Sequence, residues 1–96
     1  IRHIVMMTFK DRERLEAISI ETKNKLLGLK GIINELKEIE VGINISTRAN
    51  AYDLVLVTDF DNEIGLNIYR NHKEHLLVLD YLKTVVKTTS VVDYYI

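Results

Sequence analysis

The chain has 96 residues, is 47% hydrophobic and 28% charged, and contains neither cysteine nor proline. Without thiols it has no disulfide framework, no thiolate nucleophile and no cysteine-bound zinc or iron–sulfur site. With 13 basic and 14 acidic residues the formal charge is −1, which speaks against electrostatic nucleic-acid binding, and no apolar run approaches the ~20 residues of a membrane span. No signal-peptide pattern is visible, so the expectation is one soluble domain over residues 1–96, located in the cytoplasm.

Residues 1–10 alternate His3, Val5, Met7 and Phe9 with Arg2, Ile4, Met6 and Thr8, which predicts a strand with apolar residues on both faces. Asp11 is placed to cap a helix whose buried stripe is Leu15, Ile18, Thr22, Leu26 and Leu29, with Gly28 and Gly31 marking its end. A second strand is predicted over 36–45, with Ile39, Val41, Ile43 and Ile45 on one face. Leu36, Glu38, Glu40 and Gly42 fall on the other. The small and polar residues 44–51 form a loop by composition. Residues 52–60, with Leu54, Val55, Leu56 and Val57 in succession, read as a buried central strand. Asp61 is placed to cap a helix that carries Ile64 and Ile68, with Glu63 in its first turn. Residues 74–87, with Leu76, Leu79, Leu82 and Val86 at helical spacing, either continue that helix or form a separate one broken near Asn71. Residues 88–96 predict a last strand, Val92, Tyr94 and Ile96 facing one way and Val91, Asp93 and Tyr95 the other.

The order β-α-β-β-α-β implies a ferredoxin-like α+β fold, a four-stranded antiparallel sheet with helices on one face. The other face would carry Ile4, Met6 and a set from the third and fourth strands. Its simplest burial is sheet to sheet against a second copy, giving a homodimer and a dimeric α+β barrel. RNA-recognition domains share this order but present aromatics in a basic setting. Here residues 52–57 are acidic and aliphatic, so nucleic acid is not an expected partner.

Three histidines supply the candidate chemistry: His3, His72 and His75. If residues 69–75 are helical, His72 and His75 share a face and Tyr69 lies close to it. A neutral imidazole accepts a proton at pH 7, and a phenol beside it can donate to a developing oxyanion. Such a pair around a cavity suits proton abstraction from an acidic carbon, with His75 in hydrogen-bond reach of Tyr69. Histidines near helix starts also cap backbone groups, and His3 among Val5, Met7 and Phe9 reads equally as a core histidine. The spacing of His72 and His75 is not that of a zinc helix, and neither a metal nor a cofactor is expected.

These residues together resemble the stress-responsive dimeric α/β-barrel (Dabb) family over nearly the whole chain. The resemblance rests on residues 3–9 (HIVMMTF), Glu40-Val41-Gly42 with Asn44, residues 52–56 (YDLVL) with Phe60, Tyr69-x-x-His72-x-x-His75, and Val92-Asp93-Tyr94. It implies a ferredoxin-like monomer, a sheet-to-sheet dimer and a small cavity between sheet and helices. A plant cyclase of the family closes a linear polyketide by an aldol reaction without a cofactor. By that resemblance His75 would be the general base, Tyr69 would orient or stabilise the enolate, and His3, Val5, Met7 and His72 would line the ligand site. The family motif reads His-Pro-x-His where this chain has Lys73, and the cyclase carries a third-strand histidine where this chain has Leu54. The first departure predicts an altered path between the two histidines.

Overall fold

The computed structural model describes residues 1–96. Its elements are β1 (Arg2–Phe9), α1 (Leu15–Leu27), β2 (Glu38–Ile43), β3 (Leu54–Asp59), α2 (Glu63–Asn71), α3 (Lys73–Val85) and β4 (Val86–Tyr94). All strand pairs are antiparallel, in the order β2-β3-β1-β4. This is the ferredoxin-like arrangement, with β1 in the interior of the sheet. No helix is long and apolar enough to cross a membrane.

Register decides which residues share a face, because directly opposed residues point the same way. His3, Val5 and Met7 lie opposite Thr58, Leu56 and Leu54 on one side, and opposite Asp93, Val91 and Thr89 on the other. This face is covered by the helices. Met7, Phe9, Leu54 and Leu56 pack there with Ile18 and Leu26 of α1, Leu66 and Tyr69 of α2, and Val78 of α3. The opposite face has no helix. Ile4, Met6, Val55, Val57, Val92 and Tyr94 share it, Met6 and Val92 being 36% and 57% exposed. An Arg2–Asp59 pair, with both nitrogen–oxygen distances at 3.0 Å or less, closes one end of that surface.

Several boundaries and caps differ from the sequence reading. Asp11 does not cap α1. Its carboxylate accepts from the Glu13 and Arg14 backbone amides in the turn before the helix. The cap of α2 is Asn62 rather than Asp61, its Oδ1 accepting from Gly65 at 2.9 Å. Gly28 is right-handed, and Gly31 alone takes the left-handed conformation, at φ 87°, where a side chain would be strained. Leu36 lies before β2 and is buried in the core, while Ile45 lies past its end and is 98% exposed. Ile64 and Ile68 face outward, and Gly65, Leu66 and Tyr69 supply the buried side of α2. Val86 opens β4 instead of closing α3, and Tyr95 and Ile96 lie beyond the last strand.

The C-terminal helical region is two helices, broken at His72, whose φ of −66° and ψ of 136° are extended. The His72 imidazole makes the break self-sufficient: its Nδ1 accepts from the Glu74 amide at 3.1 Å and caps α3. Lys73 is therefore the first helical residue, where no intrahelical acceptor exists for its amide and a proline ring fits. The residue before it is already in the conformation that precedes proline. The departure from His-Pro-x-His consequently leaves the path between the histidines as a proline would set it. Lys73→Pro is expected to fold normally and to gain about 0.4–1 kcal/mol by restricting the unfolded chain. A chemical denaturation curve checks this; a loss of stability would mean that the Lys73 amide is engaged.

Candidate functional site

A cavity of about 400 Å³ opens between the helix-covered face of the sheet and α3. Val5, Met7 and Leu56 from the sheet and Leu79 and Leu82 from α3 make its walls mostly apolar. Its polar lining is His3, Arg70, His75, Lys83 and Thr89. Strand alternation sends His3, Val5 and Met7 inward together, and the break at His72 turns His75, in the first turn of α3, back toward them.

Two hydrogen bonds settle the tautomers of these imidazoles. His75 Nδ1 lies 3.1 Å from the Arg70 carbonyl oxygen. A carbonyl only accepts, so Nδ1 donates. His3 Nδ1 donates to Asp93 Oδ1, and Asp93 Oδ2 accepts from Arg70 Nη2 at 2.8 Å. Burial works against the charge on Asp93, but the hydrogen bonds from His3 and Arg70 and the charge of Arg70 outweigh it and hold the carboxyl below its ordinary value. Neither Nε2 has a protein partner. Burial lowers the His75 pKa below its ordinary 6.5, and neighbouring His3, Arg70 and His72 lower it further. The Arg70 carbonyl opposes this in part. His75 is thus a neutral acceptor at pH 7.

Tyr69 is completely buried, its ring 4.3 Å from that of His75 and 5.0 Å from that of Phe60, centroid to centroid. The expected Tyr69–His75 hydrogen bond is not formed; the two rings pack instead. The hydroxyl is buried without a hydrogen-bond partner in the protein, and burial pushes its pKa up to about 12. His3, Val5, Met7 and His75 therefore meet at the cavity, while Tyr69 stands behind His75 and His72 serves α3. No group of three or more histidines and carboxylates is close enough to hold a metal ion.

Asp93 and Arg70 escaped the sequence reading as site residues. The available signal was a carboxylate directly after the apolar pair Val91-Val92, but only the β1–β4 register shows that it lies opposite His3.

The sequence pattern of Dabb, the stress responsive A/B barrel domain, matches residues 1–96. The chain belongs to the Dabb family. Among solved structures, this Dabb chain is similar to a dimeric protein of unknown function and ferredoxin-like fold from Bacteroides fragilis. The two are 26% identical with a TM-score of 0.89, over 99% of this chain and 94% of the other. A dimeric ferredoxin-like protein of unknown function from Thermobifida fusca is also 26% identical, at a TM-score of 0.84, over 99% and 89% of the two chains. The hydroxynitrile lyase from Passiflora edulis superposes at a TM-score of 0.75 over 99% and 91% of the chains. At 19% identity this is a likeness of fold. Comparison with curated proteins gives no match.

Proposed function

We propose that this Dabb protein is a homodimer that binds a small, largely apolar molecule in the cavity between sheet and α3, with His75 as the proton acceptor. The observation that carries the reading is the pairing of apolar walls with two imidazoles whose Nε2 atoms are unengaged. An imidazole nitrogen without a protein partner, on a side chain that lines a cavity, is free to bind a polar ligand atom. The chemistry such a site supports is cofactor-free proton abstraction from an acidic carbon, as in a cyclase, lyase or isomerase. In this geometry His75 is the base, His3 lines the site, and Tyr69 packs behind His75 and keeps water from that side of its ring. The hydroxynitrile lyase among the structural relatives is compatible with that class and does not select it.

The test is a thermal-shift screen of small apolar compounds on the wild type and on His75→Ala. Compounds that raise the wild-type melting temperature are expected to lose most of that shift in the variant. Equal shifts would remove His75 from the binding site. The dimer rests on the apolar surface of Ile4, Met6, Val57 and Val92 and on the dimeric descriptions of the two relatives. Sedimentation should give twice the 11.1 kDa of one chain at micromolar concentration, and Val57→Lys should give monomers.

A second reading has its own support: the His3–Asp93–Arg70 chain fastens β1 and β4 to α2, as a purely structural tether would. Under it, the protein is a non-enzymatic, stress-linked dimer. Asp93→Leu would then lower stability while no compound in the screen distinguishes the wild type from His75→Ala.

A further inference from the structure

Arg70 touches both imidazoles by different routes. Its backbone carbonyl accepts from His75 Nδ1 at 3.1 Å. Its guanidinium binds Asp93 at 2.8 Å, and Asp93 in turn accepts from His3 Nδ1. Both rings are thereby held with the hydrogen on Nδ1. His72 is the internal contrast: its Nδ1 accepts from the Glu74 amide, so its neutral ring carries the hydrogen on Nε2.

We propose that Arg70 is the positioning residue that turns two Nε2 lone pairs toward the cavity, and that the ligand is an apolar molecule whose polar end is a hydrogen-bond donor, such as a phenol, enol or alcohol hydroxyl. The second half rests on the reading of the cavity as a ligand site; the first does not. A neutral ring held with its hydrogen on Nδ1 presents an acceptor at Nε2, which attracts an O–H and leaves a carboxylate without a donor. The cavity offers little to reverse that preference. The Arg70 guanidinium is committed to Asp93 and to Asn67, and the Lys83 side chain is 77% exposed and leans toward Asp80. Thr89 contributes a hydroxyl that serves either role.

Ring-nitrogen NMR of the ligand-free protein at pH 8, where imidazole is ordinarily neutral, tests the tautomers directly. His3 and His75 are expected as Nδ1–H and His72 as Nε2–H. In Arg70→Gln, His75 keeps Nδ1–H because its acceptor is main chain, while His3 becomes a mixture. Asp93→Leu releases His3 fully to the Nε2–H form that a free imidazole prefers. His3 as Nε2–H in the wild type, or unchanged in both variants, overturns the positioning role.

The ligand class is tested with 4-propylphenol, 4-propylbenzoate and propylbenzene, followed by titration of the same ring nitrogens. The phenol should bind most tightly and shift the His3 and His75 Nε2 signals, and Arg70→Gln should weaken it about tenfold, the loss expected for one oriented hydrogen bond. Benzoate binding more tightly, or propylbenzene binding equally well, overturns the donor preference while leaving the cavity reading in place. If none of the three binds, the cavity reading and the ligand class fall together, and the tautomer result stands alone.

Discussion

Asp53→Ala is expected to lower the unfolding free energy by on the order of 3 kcal/mol, a large share of the ~5–15 kcal/mol of a domain this size. Asp53 is 5% exposed and lies just before β3, where its carboxylate joins three parts of the chain. Oδ2 accepts from the Phe9 amide at 2.9 Å and from Arg12 Nη1 at 2.7 Å, and Oδ1 accepts from Arg12 Nη2 at 3.0 Å. Phe9 is completely buried and its amide lies at the β1 register shift, so alanine leaves that donor unsatisfied. Urea unfolding checks the size, and a change below 1 kcal/mol would mean that the loop before β3 rearranges to replace the acceptor. Asp53→Asn keeps an acceptor for Phe9 and loses the charge pairing, so its cost should be smaller.

The same residue shapes the acid limb of stability. The Arg12 hydrogen bonds hold the Asp53 carboxyl below its ordinary 3.8; burial opposes them, and the Phe9 amide and the charge of Arg12 assist. A carboxyl lowered on folding contributes stability that is fully present above 3.8 and is lost as pH falls through the folded value. Asp59, held down mainly by its Arg2 hydrogen bond, acts in the same window. His75 acts earlier and for the opposite chemical reason. Its imidazole is harder to protonate when folded, so stability begins to fall as pH drops through its ordinary 6.5 and levels off below the folded value. A stability–pH curve should therefore decline in two steps. His75→Ala should remove the upper step and Asp53→Asn should weaken the lower one.

Much of the fold is legible because its signals are local. The alternation His3-Val5-Met7-Phe9 and the run Leu54–Val57 identify the two interior strands whatever else the chain does. The apolar residues left on the other side of β1 expose the uncovered face without any knowledge of a partner. Helix ends were less legible, since Asp11, Asp61 and Asn62 are all good caps and only backbone geometry selects among them. Ile64 and Ile68 show a related limit: residues four apart mark a helix but not which face is buried, and the core took Leu66 and Tyr69. The site was half legible. His3 and His75 stand out as titratable residues among apolar ones, whereas Asp93 acquires meaning only through strand register and Arg70 only through its carbonyl and its reach to β4. Long-range pairings of this kind leave no periodic trace in a single sequence.

Tyr69→Phe should stabilise the protein by about 1–3 kcal/mol, the reverse of what truncating a buried side chain normally does. The Tyr69 ring fills the space between Phe60 and His75, and phenylalanine keeps both ring contacts. Only the hydroxyl is lost, and it is buried with no protein partner, so its desolvation is uncompensated in the folded chain. Tyr69→Ala, by contrast, would empty the site and cost about 3–5 kcal/mol, which separates the role of the ring from that of the hydroxyl. Tyr69 thus carries its hydroxyl at a cost to stability beside the His75 ring. The two consequences can be read on one variant. Thermal unfolding of Tyr69→Phe should show a melting temperature several degrees above the wild type. The ring-nitrogen NMR signals of His75 should show whether removing the hydroxyl disturbs the imidazole it packs against. A lower melting temperature would mean that the hydroxyl is satisfied by buried water, and the desolvation argument for Tyr69 would then fail.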